Sequence, residues 1–348
     1  YRGAFEEARD YLKRAMSINR ALGDARLIAS DRHWRGNYFL TMGEADSAIA
    51  YLASALEDLE NLEQMPDVAA ILASLGEAYL LKGDFKRSLE NLTTAIKVAT
   101  DVEKKELIAS ARLAKARVFR EIGHHAGLDS VLSDLQSYDE KTLSHHTRCD
   151  LRLEGAKQSY AKGNYTEALR LEEEVTLAVG NDDVRCRARA LILAAVIALD
   201  QDDLDRARER YETALDESRR YGLSDIEAKT LWSIARMDLE EGRLEHAESR
   251  SEEALRIATR LGLSRYEYMV ACGDIALAAG KSEEALDHYR NALDEAREIL
   301  ADRCPPRLRS HYLESARVAG YIDKVTGLLE QAGRSEEADR YSTIFGLK

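Results

Sequence analysis

Proline is nearly missing from this sequence: Pro66, Pro305 and Pro306 are the only three in 348 residues. A residue that removes a backbone donor and clashes with the preceding turn is poorly tolerated inside helices, so this scarcity is what a mostly helical chain requires. Long apolar runs are missing too. No stretch approaches the roughly 18 apolar residues of a membrane-spanning helix, and no secretory signal pattern is present. The alternation of β-branched and polar residues that marks half-buried strands is also absent. Cys149, Cys186, Cys272 and Cys304 stand far apart with no C-x-x-C pair, which excludes a disulfide framework. Cys272 falls on a position expected to be buried, the other three read as boundary or loop thiols, and the expectation is a reduced, cytoplasmic setting. Excess positive charge is lacking as well. The formal net charge is −13, which argues against non-specific binding to nucleic acid or an anionic membrane.

Catalytic and ligand-binding motifs are equally scarce. Gly280-Lys281-Ser282 imitates the end of a phosphate-binding loop, but that motif needs glycine where Ile275 stands and a preceding strand. Asp200, Asp202, Asp203 and Asp205 crowd one turn, yet Leu204 occupies a ligand slot of the calcium loop, and no glycine and distal glutamate follow. His124-His125 lies at a turn and His145-His146 at a link. A helix of about 13 residues, roughly 20 Å long, separates such ends, so the pairs are expected to be solvated rather than to share a metal. No G-x-S-x-G, H-E-x-x-H or paired Cys/His arrangement occurs. The expectation is a chain that is not an enzyme, with no cofactor and no metal site.

What the sequence does contain is a repeat. Gly3, Gly43, Gly83, Gly123, Gly163, Asp202, Gly242, Gly280 and Gly333 follow one another at intervals of 40, 40, 40, 40, 39, 40, 38 and 53 residues. A fixed period of this size decides the architecture. Glycine tolerates the left-handed backbone at which a helix stops and reverses. Small residues keep a fixed distance from each mark: Gly36, Gly76, Ala116, Ala156, Ala195, Ala235 and Gly273 seven before it, Ala48, Ala168, Ala207, Ala247 and Ala285 five after it. Twelve after it come Ala55, Ala95, Ala214, Ala254, Ala292 and, at the last mark, Phe345. Aromatic residues fill the space between, with Phe39, Tyr79 and Phe119 four before the mark and Phe85 and Tyr165 two after it. The clearest copy runs from Leu72 to Ala95.

These residues resemble the tetratricopeptide repeat family over essentially the whole chain. The longer period is similar to the variant of about 40 residues found in kinesin light chains and in bacterial sensor proteins, including peptide-pheromone receptors and regulatory ATPases. The resemblance implies an all-α, right-handed α-solenoid of stacked antiparallel helix hairpins. Residues 1–348 form one such solenoid: a partial repeat over 1–22, seven hairpins over 24–300, and a long helix with a capping hairpin over 307–348. Because Gly3 to Leu22 reads as a second helix without its first, the chain is expected to be a piece of something longer. Helix restarts are expected at Asp24, Ser224 and Ser264 after Gly23, Gly222 and Gly262, and at Asn181, Asp182 and Asp183. The repeat around Gly123 is poor, and Arg307 to Gln331 reads as one long helix.

In this family the first helices line a concave groove. Residues ten, six and three before each mark share one face of those helices. Read this way, the central groove carries Arg117, Arg120, Lys157 and Arg236 beside Tyr160 and Trp232, while the outer repeats carry Glu77, Asp274, Asp323 and Glu330. Arginine and aromatic residues are enriched at binding hot spots. Arg117, Arg120, Lys157, Tyr160, Trp232 and Arg236 are therefore expected to bind a partner protein or peptide, an acidic segment with apolar anchors. The bland alternative is that the basic side chains only neutralise acidic neighbours on adjacent helices. Asn37 matches one slot of the chaperone-tail clamp known in the family, but His33, Ser74 and Ala114 occupy others. The expected function is a non-enzymatic interaction array, the sensor or scaffold region of a larger bacterial signalling protein. The alternative is a peptide-responsive switch controlling an attached ATPase, kinase or transcription-factor domain.

Overall fold

The structure is a computed structural model that describes residues 2–59, 65–138, 140–179, 183–314 and 316–344. It opens with α1 (Arg2–Leu22), which runs through Gly3 instead of turning there. Antiparallel pairs follow: α2 (Ala25–Thr41) with α3 (Ala45–Leu59), α4 (Met65–Leu81) with α5 (Phe85–Asp101), α6 (Lys105–Ile122) with α7 (His125–Gln136), and α8 (His145–Ala161) with α9 (Tyr165–Val179). Next come α10 (Val184–Asp200) with α11 (Leu204–Tyr221), α12 (Ser224–Glu240) with α13 (Leu244–Leu261), and α14 (Tyr266–Ala278) with α15 (Ser282–Glu298). A π-helical turn (Ile299–Arg303) and a 3-10 turn (Pro306–Leu308) then lead to α16 (Arg309–Glu314), α17 (Ala316–Gln331) and α18 (Ser335–Ile344). Among the described residues there is no strand. The hairpins stack into a right-handed α-solenoid, each packing on the next, with successive first helices also side by side.

Each hairpin turns by the same local chemistry. At Gly83 the backbone reaches φ 69°, and the Asp84 amide closes the end of α4 by donating to the Tyr79 carbonyl at 2.9 Å. Asp84 then accepts from the Arg87 amide at 3.0 Å and caps α5, so one turn satisfies both helix ends. Asp202 takes the same left-handed conformation (φ 60°) without being glycine. Short polar side chains are the ones that tolerate it, and Asp203 beside it caps α11.

The small residues seven before the mark serve the packing of the two helices. A Cβ added to Gly36 would lie 2.5 Å from Leu52 Cγ, one on Gly76 2.5 Å from Leu92 Cγ, and one on Gly273 2.6 Å from a Tyr289 ring carbon. In each case the side chain from the second helix rests on the bare backbone of the first. Ala116, Ala156, Ala195 and Ala235 occupy the equivalent place with no exposed surface.

Several local expectations are corrected. Asp24 and Asp183 do cap α2 and α10, but Ser224 is the first residue of α12, and the helix start has no side-chain cap. Ser264 stands before the Arg265 cap and spends its hydroxyl on Glu295 at 3.1 Å. All four cysteines are free and buried: Cys149 and Cys186 lie within helices, and Cys304 lies in the expected link but is turned into the core. Arg307 lies in the 3-10 turn, and helix is described over 309–314 and 316–331. Asn181, Asp182 and Phe345 lie outside the described residues.

The superhelix also comes round to touch itself. One apolar cluster joins Leu72, Phe85, Leu89 and Leu92 of the α4–α5 hairpin to Tyr289, Leu308, Tyr312 and Ile322 near the other end of the chain. The packing within a hairpin can be tested by a single substitution. Ala247 has no exposed surface, so Ala247→Phe should overpack the hairpin and lower the unfolding free energy by roughly 1–3 kcal/mol, read by urea denaturation with far-UV circular dichroism.

Candidate binding face

The inner wall of the solenoid is the series α2, α4, α6, α8, α10, α12, α14, where each first helix contacts the next. On this wall two different surfaces meet. One is a buried ion-pair network, the other an open apolar and cationic face.

The network centres on Asp150 and Glu154 of α8, which are 6% and 1% exposed. Arg117 of α6 pairs with Asp150, reaches Glu77 at 3.4 Å and brings its Nε to 3.6 Å from Glu154. Arg120 pairs with Glu154, Lys157 approaches the same carboxylate at 3.2 Å, and Arg189 of α10 donates to Asp150 at 2.8 Å and Glu154 at 2.9 Å. A carboxylate taken out of water is stable only when paired and fully hydrogen-bonded, and Glu154 has four cations around it. Burial alone would raise the Asp150 pKa, but Arg117, then Arg189, His146 and Lys157, outweigh it and hold the carboxyl well below the usual range. Burial, with Arg120, Arg189, Arg117 and Lys229 nearby, pushes the Lys157 ammonium well below the ordinary lysine value.

Three of the six residues expected to meet a partner are therefore already engaged. Arg117, Arg120 and Lys157 are brought together, but by acidic groups of the chain itself. Sequence reasoning missed Asp150, Glu154 and Arg189. A signal was available: positions thirteen before the mark extend the ten, six and three face by one turn, and they hold Asp150, Arg189 and Lys229.

Tyr160 donates to Asp200 at 2.8 Å and lies 5.9 Å from the Tyr165 ring. Trp232 and Arg236 sit elsewhere on the wall, on α12. The Arg236 guanidinium stands 5.1 Å above the Trp232 ring, whose Nε1 donates to the Glu267 carbonyl at 3.1 Å. Lys229, Trp232 and Arg236 are three and four residues apart and so share a face. Lys229 and Arg236 are exposed, and among the described residues neither has a carboxylate within ion-pair distance. Beside them, Ile192, Val196 and Leu199 of α10 are half-buried and pack with Trp232 against the same core cluster.

The remaining candidates are structural. His146 pairs with Asp183, which raises its pKa against the opposing effect of burial, and His124 packs 5.1 Å from Phe119 and 4.6 Å from His311. His124 is thus packed rather than solvated, whereas His146 is exposed as expected but held in an ion pair. Lys281 pairs with Glu248 at the α14–α15 turn. Glu248, Glu252 and Glu284 place carboxylate oxygens within 4.8 Å of one another, on a mostly exposed surface. Asp274 of the outer repeats accepts from Tyr289 at 2.6 Å and pairs with Lys324 at 2.6 Å.

The network makes two predictions. Arg117 is largely buried, with 13% of its side chain exposed, and Arg117→Met strips a cation from two buried carboxylates, so it should cost about 3 kcal/mol in urea unfolding. Asp150 binds its proton more weakly folded than unfolded. Its contribution is thus complete above the unfolded value near 3.9 and is lost as pH falls through the lower folded value. Wild-type stability should drop below about pH 4, and Asp150→Asn, though less stable at neutral pH, should show a smaller drop when the pH series is repeated.

Comparisons with known proteins agree with this architecture. Residues 35–97 and 186–260 each match a model described as a tetratricopeptide repeat. A search of curated protein sequences returns no match. Among solved structures, NprR in complex with its cognate peptide NprX aligns with a TM-score of 0.60 at 13% identity, covering 95% of this chain and 98% of that one; apo NprR is described as a quorum sensor from B. thuringiensis. The signal transduction ATPase PH0952 from Pyrococcus horikoshii, which has a tetratricopeptide repeat sensor, aligns at 0.53 and 15% identity over 94% of this chain and 51% of that one. A chain of the APC/C hetero-tetramer Cut9–Hcn1 aligns at 0.54 and 14% identity over 91% of this chain and 52% of that one. This chain thus spans about half the length of the last two, and identities this low show a common fold alone. The repeat grid and the two matched stretches together show that this chain carries tetratricopeptide repeats.

Proposed function

We propose that the chain is a non-enzymatic recognition array that binds a partner peptide segment along the inner face of α10 and α12, as part of a bacterial, cytoplasmic signalling or regulatory protein. One observation carries this reading: Lys229, Trp232 and Arg236 form a cationic and aromatic stripe whose charges are not neutralised within the described chain, next to the half-buried Ile192, Val196 and Leu199. On a chain of net charge −13, the network on α6 and α8 balances its own charges, whereas this stripe does not. A ligand with carboxylates spaced beside one or two apolar side chains complements it, the apolar groups entering between Val196 and Trp232 and the carboxylates meeting Lys229 and Arg236. The likeness in fold to NprR, solved with the peptide NprX, supports a peptide as the occupant. Among the described residues no helix is long and apolar enough to cross a membrane.

A peptide library displayed on phage and selected on the whole chain tests the reading. The enriched sequences should combine Asp or Glu with Leu, Ile or an aromatic residue. They should lose about tenfold or more in affinity on Lys229→Glu/Arg236→Glu, the loss of one or two charge-assisted contacts, and keep their affinity on Lys97→Glu at the outer helix α5. Equal binding to both variants, or no enrichment at all, would remove the α10–α12 face from consideration.

A further inference from the structure

Four to five repeats after each early turn, the solenoid meets itself at matching places. Arg185 of α10 grips Asp225 of α12 with both of its terminal nitrogens, and its Nη1 also donates to the Thr41 carbonyl at 2.9 Å. Thr41 is the last residue of α2, so its carbonyl is one of those a helix end leaves without an internal partner. One hairpin further on, the Ser264 amide donates to the Leu81 carbonyl at 3.0 Å, at the end of α4. A third contact sets the Phe85 ring 5.8 Å from Tyr312 and the His124 ring 4.6 Å from His311. The ends of α2, α4 and α6 thus rest in order on the first turns of α10 and α12, on the segment before α14 and on α16.

The approach is close, and at Gly43 it demands bare backbone. A Cβ on Gly43 would lie 2.6 Å from Asp225 Cβ, one on Gly262 2.5 Å from an Asp46 oxygen, and one on Gly83 3.2 Å from Ser264 Cβ. Glycine at these helix ends keeps the contact small besides allowing the left-handed turn. It lets one coil of the superhelix sit on the next.

We propose that this seam is a latch that fixes the pitch of the superhelix, and that Arg185 is the positioning residue tying it to the binding face. Arg185 stands seventeen before its mark, one turn below Arg189 on the face that continues through Ile192, Val196 and Leu199. Glu77 and Arg117, members of the buried network, are among the charges it feels. A ligand carboxylate arriving on α10 and α12 competes with Asp225 and the Thr41 carbonyl for this guanidinium. Occupancy of the wall and closure of the seam are thereby linked, and each must change the other. The linkage rests on the peptide-binding reading above; the latch itself does not.

The test uses the whole chain without ligand first. Arg185→Met keeps the apolar stem and removes every donor. With helix content unchanged by circular dichroism, it should speed hydrogen exchange at the Ser264 amide about tenfold, as expected for loss of a charge-assisted bond across the seam, and enlarge the radius of gyration in solution scattering. Ser264→Pro deletes the second inter-turn bond away from the binding face, should enlarge the particle likewise, and carries the test if Arg185→Met does not fold. Wild-type dimensions in a folded variant, with wild-type Ser264 exchange where that amide remains, would overturn the latch. A peptide selected as above is then added to the wild type. Binding that alters Ser264 exchange supports the linkage, and binding that leaves it unchanged refutes the linkage while leaving the recognition reading intact. Failure to select any peptide ends that reading, and the ligand-free variants still decide the latch.

Discussion

The structure depends on how closely two helices can approach when one of them has almost no side chain at the crossing. Leu52 on Gly36, Leu92 on Gly76 and Tyr289 on Gly273 bring the second helix down on the first, and the alanines of the other repeats do the same with one carbon more. Close approach maximises dispersion contacts in interiors packed like crystals. It also fixes the angle at which each hairpin leans on its neighbour. Small per-repeat rotations add along a solenoid, and here they bring residues some four repeats apart into hydrogen-bonding contact.

The inner wall divides its charge in an uneven way. Around α8 the chain buries two carboxylates and surrounds them with arginines and a lysine, an arrangement that adds little net stability over an apolar one but is costly to break on one side. Its effect is to set the relative positions of α6, α8 and α10, because Arg117, Arg120 and Arg189 come from the two flanking helices. Around α12 the wall keeps its cations unspent and its tryptophan half-covered. In the recognition reading proposed above, that surface is where the partner sits.

Much of this was legible in the sequence, and what was not has a physical reason. The hairpins, their turns at Gly43 or Gly83 and the helix that stops at Asp202 follow from local rules acting over a few residues, so the repeat displays them directly. Helical spacing puts Trp232 and Arg236 on one face, and the structure stacks one on the other. Arg117, Arg120 and Lys157 also fall on the wall, but acidic groups of the chain are their neighbours: Asp150 and Glu154 lie one repeat on from Arg117 and Arg120, Glu154 is also one turn from Lys157, and neither stands ten, six or three before the mark. The seam was not legible at all. Nothing near Arg185 or Ser264 in sequence marks the carbonyls of Thr41 and Leu81 as their acceptors, since that pairing is set by the summed twist of the intervening repeats. Ser264 shows the consequence, a residue that looks like a helix cap and is used as a bridge.

Closure of the superhelix on itself is the claim on which the rest turns, and one crosslink tests it directly. The Cβ positions of residues 83 and 264 lie 3.2 Å apart, close to the roughly 3.5–4.5 Å a disulfide spans, and the four native cysteines are buried. With Gly83→Cys and Ser264→Cys in one chain, first shown by circular dichroism to keep its helix content because residue 83 takes a left-handed φ of 69°, mild oxidation followed by mass spectrometry should yield an intramolecular 83–264 disulfide in the folded monomer. Free thiols at both positions, or bridges formed only between chains, would contradict it.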